Sequence, residues 1–472
     1  VRHRTLRTST RRLALAAALL ASSAVSVGAL APTATAAEAG VNLSNLSPGA
    51  VEQANALGAK WVRVFVPWGD IEPARGHQAQ NWLAEYDRLL ASLPKGGHAI
   101  FDVVGAPAWE NGAGGSAPPA NPAEYAALLH FLAQRWAGRV AAYEIWNEED
   151  ASRWWTGAPD PGAYTRLLQS AYTAVKSADP NAAVVLGGLT GNDYHFLQGV
   201  YEAGGKGYFD AVGVHTDTAC NVASPEEFLR DPGGRLDQDS FLGYREVHAT
   251  ELANGDNKPI WMTETSWRTT TATCPEGAWA GQKPEGVSDE QQATFLTQAY
   301  HCMAEDPYVQ VALWYPLADN GSVISGLLQA NGSHKPSYAA MHDYLEHGDQ
   351  RTGSCGHFAG PKITLATPFD GQRYKGKLRI RAIASDPVGI RRVRLFWDGH
   401  LVRNWVPYFY THTYPTSTVA EMRWFGAIKI SVGRHTLTFV AIDKLENSST
   451  THISIVHLSE KPRRSHRRRR HH

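Results

Sequence analysis

Between residues 40 and 348, short apolar runs alternate with amphipathic stretches eight times over, and this alternation most narrows the possible folds. The runs lie at 40–43, 61–66, 99–104, 141–146, 183–187, 211–215, 259–264 and 311–315 and are rich in Val, Ile, Phe and Trp. Short runs with little polar alternation are what strands buried on both faces require. Between them, stretches such as 81–93, 122–137, 161–178, 289–304 and 336–345 carry apolar residues at helical spacing. Eight strand–helix units in about 310 residues predict a (β/α)8 TIM barrel. A doubly wound open sheet is the rival, but no Gly-rich phosphate loop follows the first run.

Past residue 360 the apolar period shortens to two, with runs at 363–366, 378–384, 392–397, 422–431, 435–442 and 452–457. Asp370-Gly371, Asp398-Gly399 and Val432-Gly433 punctuate them as turns. Six or seven such strands in this length predict an all-β sandwich. The expected organisation is a secretory signal at 1–37, the barrel at 38–355, the sandwich at 361–460 and a basic disordered tail at 461–472.

Charge follows the same divisions. The chain has 45 Lys+Arg and 45 Asp+Glu, a formal net charge of zero. Residues 1–37 carry 5 basic groups and no acid, whereas 38–360 carry 19 basic and 38 acidic groups. Residues 361–460 carry 14 basic and 7 acidic groups, and the last 12 residues carry 7 basic and none acidic. Arg2, Arg4, Arg7, Arg11 and Arg12 precede an apolar run from Leu13 to Leu20 and small residues up to Ala36. That is the layout of a cleavable export signal, so the mature chain is expected outside the cell and free of the membrane. Hydrophobic residues make up 43% and charged residues 19% of the chain, a globular composition that excludes general disorder and a polytopic membrane protein. The 15 Trp and 18 Tyr suggest sugar-binding surfaces.

The chemistry concentrates at two strand ends. Tyr143-Glu144-Ile145-Trp146-Asn147-Glu148 closes the fourth run, and Ile260-Trp261-Met262-Thr263-Glu264 closes the seventh. In an eight-fold barrel the strand C-termini face the active site. Two carboxylates there can flank a glycosidic bond, one protonating the leaving oxygen while the other attacks the anomeric carbon or activates water. Glu149 and Asp150 are read as loop charges, because the pleat turns Glu149 away from Glu148.

Asn147-Glu148 ending strand four and Glu264 ending strand seven resemble the clan A glycoside hydrolases. The stretch from Tyr164 to Pro180, running into Gly187-Gly188, is similar more narrowly to glycoside hydrolase family 39, which holds β-xylosidases, α-iduronidases and bacterial exopolysaccharide hydrolases. The resemblance implies a retaining double displacement with Glu148 as acid/base and Glu264 as nucleophile. It implies that Asn147 donates to the sugar 2-hydroxyl, that His215 lies close to the sugar, and that Trp314 stacks against it. Related enzymes often carry Tyr two residues after that His; here Asp217 stands in its place.

Further expectations rest on position. Arg63, on strand two, is placed to keep Glu264 ionised or to form a core ion pair. Trp68, Trp109, Trp154, Trp155 and Trp267 follow strands and are expected to line a cleft. The four cysteines show no CxxC spacing, and in an exported chain they favour disulfides, with three pairings open. In the barrel layout Cys220 and Cys274 fall on loops of one face, and Cys302 and Cys355 beside adjacent helices, so those pairs are preferred. No cofactor or metal is expected.

The region from Thr367 to Asp443 looks like bacterial immunoglobulin-like modules, and its basic charge with the tail could hold the protein on an anionic cell-wall polymer. The expected function is a secreted, monomeric retaining glycoside hydrolase acting on an oligo- or polysaccharide, with no nucleic-acid partner. The alternatives are a family 5-like endoglucanase and a non-catalytic carbohydrate-binding surface protein.

Overall fold

The computed structural model describes residues 37–216, 220, 223–275, 280–405, 418–426 and 431–459. Asp217, the basic tail and all of the signal segment but Ala37 lie outside them.

Eight parallel strands close into a barrel in sequence order: β1 (Glu38–Asn42), β2 (Trp61–Pro67), β3 (His98–Val104), β4 (Ala142–Asn147), β5 (Ala183–Thr190), β6 (Ala211–Thr216), β7 (Ile260–Thr265) and β8 (Val309–Trp314). β1 closes the ring by pairing with both β2 and β8. Helices lie between strands, and their starts are written plainly in the sequence. Ser47, Asn121 and Asp160 each cap a helix whose first residue is proline, at Pro48–Leu57, Pro122–Arg135 and Pro161–Ala178. The side-chain oxygen takes an otherwise unpaired helix N–H, and proline at the first position gives up a donor that needs no partner there. In Pro161–Ala178 the buried residues Tyr164, Leu167, Leu168, Ala171 and Val175 form one helical stripe.

Inward-pointing side chains fill the barrel in layers. The lowest is apolar: Trp61, Ile100, Ala142, Val185, Ala211, Trp261, Val311 and Leu313. Two residues further along four of these strands stand Arg63, Asp102, Glu144 and Thr263, all buried. The strands are therefore not apolar throughout. Their middle layer is ionic, and it supports what lies above.

The C-terminal region forms two antiparallel-rich sheets around a core that includes Ile380, Val393, Leu395, Leu437, Phe439 and Ile455. One sheet holds β10 (Gln372–Tyr374), β16 (Ser448–His457), β15 (Gly433–Asp443), β12 (Ile390–Trp397) and β13 (His400–Trp405) in that order. The other holds β14 (Val419–Gly426), β11 (Leu378–Ser385) and β9 (Lys362–Thr367). The strands at 372–374 and 400–405 were not anticipated, and both lie at sheet edges where the apolar signal is weak. Asp398 and Gly399 both have positive φ (44° and 82°), the geometry that a two-residue turn between β12 and β13 demands.

Two disulfides join Cys220 to Cys274 and Cys302 to Cys355, as the barrel layout led us to expect. Among the described residues no helix is long and apolar enough to cross a membrane.

Candidate active site

The ionic layer is organised by one guanidinium. Arg63 donates from Nε to Glu144, from NH1 to Asn42 (2.9 Å) and Glu264 (2.6 Å), and from NH2 to Asp102 and Asn147 (2.8 Å each). Burial opposes its charge, but the carboxylates of Glu144, Asp102 and Glu264 raise its pKa overall. Asn42 in turn donates to the carbonyl of Thr263 (2.8 Å), and Thr263 donates to Glu144 (2.8 Å). Strands one, two, three, four and seven are thus tied to one buried group. A planar guanidinium with five donors suits this task in a way a lysine does not.

Above this layer the strand ends converge. Ring nitrogen Nδ1 of His215 lies 3.0 Å from Glu148 Oε1, and its Nε2 lies 3.8 Å from Glu264 Oε1. One oxygen of each carboxylate and one ring nitrogen of His215 lie within 4.8 Å of one another. These are donor types a metal ion uses, yet the carboxylates are already engaged by His215, Arg153 and Arg63. A second such group, His357, Asp386 and Asp443, sits at the base of the sandwich; its carboxylates accept hydrogen bonds from His357, Val388 and Asn447.

The backbone is specialised here. Trp146 and Glu148 both have positive φ (71° and 47°), an unusual conformation for such residues that the surrounding fold must enforce. Gly187 and Gly188 leave room for the site: a Cβ on Gly188 would stand 2.0 Å from His215 Nε2, and one on Gly187 2.2 Å from Glu149 Oε2. Tyr164 locks the helix behind them, donating to the Ile145 carbonyl (2.9 Å) and accepting from the Gly187 amide (2.8 Å).

The two carboxylates sit in different electrostatic settings. For Glu148, burial favours the neutral form, but the hydrogen bond and charge of His215 and the charge of Arg153 outweigh it and lower the pKa. For Glu264, burial is the leading influence and raises the pKa against the pull of His215 and Arg63. His215 is itself raised: burial opposes its charge, while Glu264 and Glu148 favour it. Glu148 is thus the more readily ionised of the pair.

The cleft over these groups has a volume of about 620 Å³. Asn147, Glu148, His215 and Glu264 line it, and Arg63 lies directly beneath. With Asn147 Oδ1 accepting from Arg63, the amide is fixed so that its NH2 is the side left for a ligand. The tryptophans depart from expectation. Trp68, Trp155, Trp267 and Trp314 are buried, and Trp314 has no accessible surface to stack on a sugar; its Nε1 donates to the Ser325 carbonyl (2.8 Å). Trp109 donates to the Glu72 carbonyl and packs edge-on to Trp68. Trp68, Tyr125, Trp146, Trp155 and Tyr164 form a chain of edge-to-face contacts at 5.6–6.2 Å. These rings fill space that helices and loops enclose. Trp154 alone of that set lines the cleft, stacked at 5.8 Å on Phe65, which alternation along β2 turns inward above Arg63.

Glu149 and Asp150 also depart from expectation. Glu149 is fully buried, and among the described residues neither of its oxygens has a hydrogen-bond partner. Burial, then the charges of Asp150, Glu144 and Asp102, raise its pKa well above the carboxylate range. Asp150 accepts from the Thr190 amide (2.8 Å), and burial with the charges of Asp193 and Glu148 pushes it up to about 8. Arg153, Arg268 and Tyr315 line the cleft as well and were not singled out from sequence.

Comparison with known proteins follows the same division of the chain. A family model for a bacterial Ig domain matches residues 361–438. No curated protein matches the chain. Among solved structures, the chain is similar to a monomeric β-xylosidase from Caulobacter crescentus CB15, at 15% identity over 90% of this chain and 96% of that one, with a TM-score of 0.50. A GH39 β-xylosidase from Caulobacter crescentus shares 17% identity over 76% and 82% of the two chains (TM-score 0.47). An endo-β-1,4-mannanase from Thermotoga petrophila shares 13% over 87% and 94% (TM-score 0.41). The first of these likenesses is one of fold.

Proposed function

We propose that the protein is a retaining glycoside hydrolase, with Glu264 as nucleophile and Glu148 as acid/base. The observation that carries this reading is the convergence of two carboxylates, from opposite sides of the ring, within 4.8 Å at the C-terminal end of the barrel. So close an approach is nearer the spacing of about 5–5.5 Å between carboxyl groups that retention uses than the spacing of about 6.5–9.5 Å that inversion uses, and it supports direct attack on the anomeric carbon. In the first step a Glu264 oxygen bonds to the anomeric carbon as the glycosidic C–O bond breaks, and Glu148 gives its proton to the leaving oxygen. In the second, Glu148 takes a proton from water as the hydroxide oxygen bonds to the anomeric carbon and releases Glu264. Asn147 donates to the sugar hydroxyl beside the reacting carbon.

The assignment of roles rests on which cation can leave. Arg63 is fully buried and tied to five groups, so Glu264 keeps its ion pair throughout. Arg153 reaches Glu148 from the rim with 63% of its side chain exposed. Losing that contact on substrate binding, together with the negative charge of Glu264 nearby, favours the proton on Glu148. The likeness of fold to solved glycosidases supports the same reaction class. The N-terminal signal pattern, the two disulfides and the Ig-like region support an extracellular setting. The excess of 14 basic over 7 acidic groups in residues 361–460 supports tethering of the C-terminal region to an anionic wall polymer.

The test is a screen of aryl glycosides and of plant, bacterial and gum polysaccharides, with first-formed products read by NMR. Retained anomers are expected. First-formed inverted anomers contradict the mechanism, and absence of turnover favours a binding protein built on the same barrel.

A further inference from the structure

The pairing of Arg153 with Glu148 sets a problem that the proposed chemistry has to solve. Arg153 donates from Nε (2.8 Å) and from NH2 to the same oxygen, Oε2, of Glu148. A carboxylate held in this way is a poor proton donor. Yet the two partners are unequally placed, with Glu148 4% exposed and Arg153 63% exposed at the cleft rim. The fork is therefore open to anything bound in the cleft.

The charge around the cleft narrows what that ligand is. The barrel segment 38–360 carries twice as many acidic as basic groups. The charged cleft lining does not share this excess: among the described residues, Glu148 and Glu264 are matched by Arg153 and Arg268. Arg268 is held in place by an ion pair with Glu285 (3.0 Å) and a bond to the Ser322 carbonyl (2.9 Å), and that carboxylate balances most of its charge. Beside Arg153 in sequence, Trp154 offers the cleft a ring suited to a sugar face.

Building on the hydrolase reading, we propose that Arg153 is a shared clamp: it holds the Glu148 carboxylate when the cleft is empty, and passes to the carboxylate of a uronate unit when substrate binds. A planar carboxylate matches the guanidinium fork as a neutral hydroxyl does not. The hand-over frees Glu148 to take up the proton that it then delivers, so substrate recognition and readiness of the acid are one event. The other groups facing Glu148 are His215 from β6, Glu264 from β7, Asp150 on its own loop and Tyr315 after β8. None of them changes partner in this exchange, so Arg153 is the group that moves the titration. Arg153 is on this account a specificity and positioning residue, acting on the reaction through Glu148.

The experiment is a carbon-13 NMR titration of the Glu148 carboxyl in the full protein, assigned with Glu148→Gln, with glucuronate or glucose added. Glucuronate should raise proton affinity at Glu148 about tenfold, one pH unit, and glucose should not. Arg153→Met should titrate higher without ligand and lose the response to glucuronate. Identical titrations with glucuronate and glucose, or an unchanged response in Arg153→Met, overturn the proposal. A parallel assay compares a uronate-containing polysaccharide with the same polymer after reduction of its carboxylates to alcohols. Wild type should lose at least about tenfold in kcat/KM on the reduced polymer, and Arg153→Met should bring the ratio near one. The titration needs no turnover. A positive titration without hydrolysis faults the hydrolase reading alone, whereas hydrolysis with equal titrations faults the clamp alone.

Discussion

Two arginines each hold one of the paired carboxylates, and their surroundings could hardly differ more. Arg63 has no accessible side-chain surface, and its donors are shared among three acids and two amides. Arg153 stands at the rim, two-thirds exposed, five residues beyond the acid it binds. The buried ion pair is structural and permanent, because removing Arg63 would strand three carboxylates in a low dielectric. The rim pair is screened and exchangeable. A difference in mobility between two otherwise similar contacts is enough to separate a nucleophile, kept ionised, from an acid that must be rearmed each cycle.

The largest effect is expected for Glu264→Ala, which should lower turnover by about 10⁴-fold or more while leaving the fold intact; azide should restore turnover by acting in place of the missing carboxylate. Next, Arg63→Met should destabilise the protein by about 3–5 kcal/mol in chemical denaturation, since Asp102, Glu144 and Glu264 lose their shared partner. Arg153→Met should change stability by about 0–1 kcal/mol, and equal losses for the two variants would erase the distinction drawn between them.

A smaller effect involves Glu149. Its pKa is raised in the folded protein, so between the ordinary Glu range and that higher value the folded state binds a proton that the unfolded chain has released. Stability from this group is therefore full at low pH and falls as pH rises. Glu149→Gln removes that slope, and its stability relative to wild type should grow as pH rises above the ordinary Glu range, by up to about 1.4 kcal/mol per pH unit. A pH-independent difference would show that Glu149 is ionised in the fold. Smallest of all, Trp154→Ala should raise KM about tenfold with little change in Tm, as loss of a single ring platform implies.

The barrel was legible because its signal is local and repeated. All eight strands lie within a few residues of the apolar runs, and the helix at 161–178 begins and ends where the pattern does. The carboxylate pair was legible because strand ends in a barrel share a face. Position on strand two marks Arg63 as a partner of Glu264, but nothing comparable marks Asp102 and Glu144, since an acid inside an apolar run carries no sign of which strand it will meet. The tryptophans misled for the converse reason. A ring after a strand can face the cleft or fill the gap under a loop, and only packing decides, as Trp314 and Trp267 demonstrate. Gly187-Gly188 was noticed as a motif, while its cause, the approach of Glu149 and His215, is a contact between distant positions. Arg153 had a faint signal, a lone cation in Glu148-Glu-Asp-Ala-Ser-Arg-Trp154 beside an otherwise acidic stretch.

The most direct test of this division of roles is covalent labelling. Activated aryl glycosides bearing fluorine beside the anomeric carbon slow the second step and trap the glycosyl–enzyme, which peptide mass spectrometry can locate. A panel of such sugars, uronates among them, should label Glu264 alone, with Glu148 unmodified. A label on Glu148 would reverse the assignment of the two carboxylates and with it the claim that the fixed arginine marks the nucleophile.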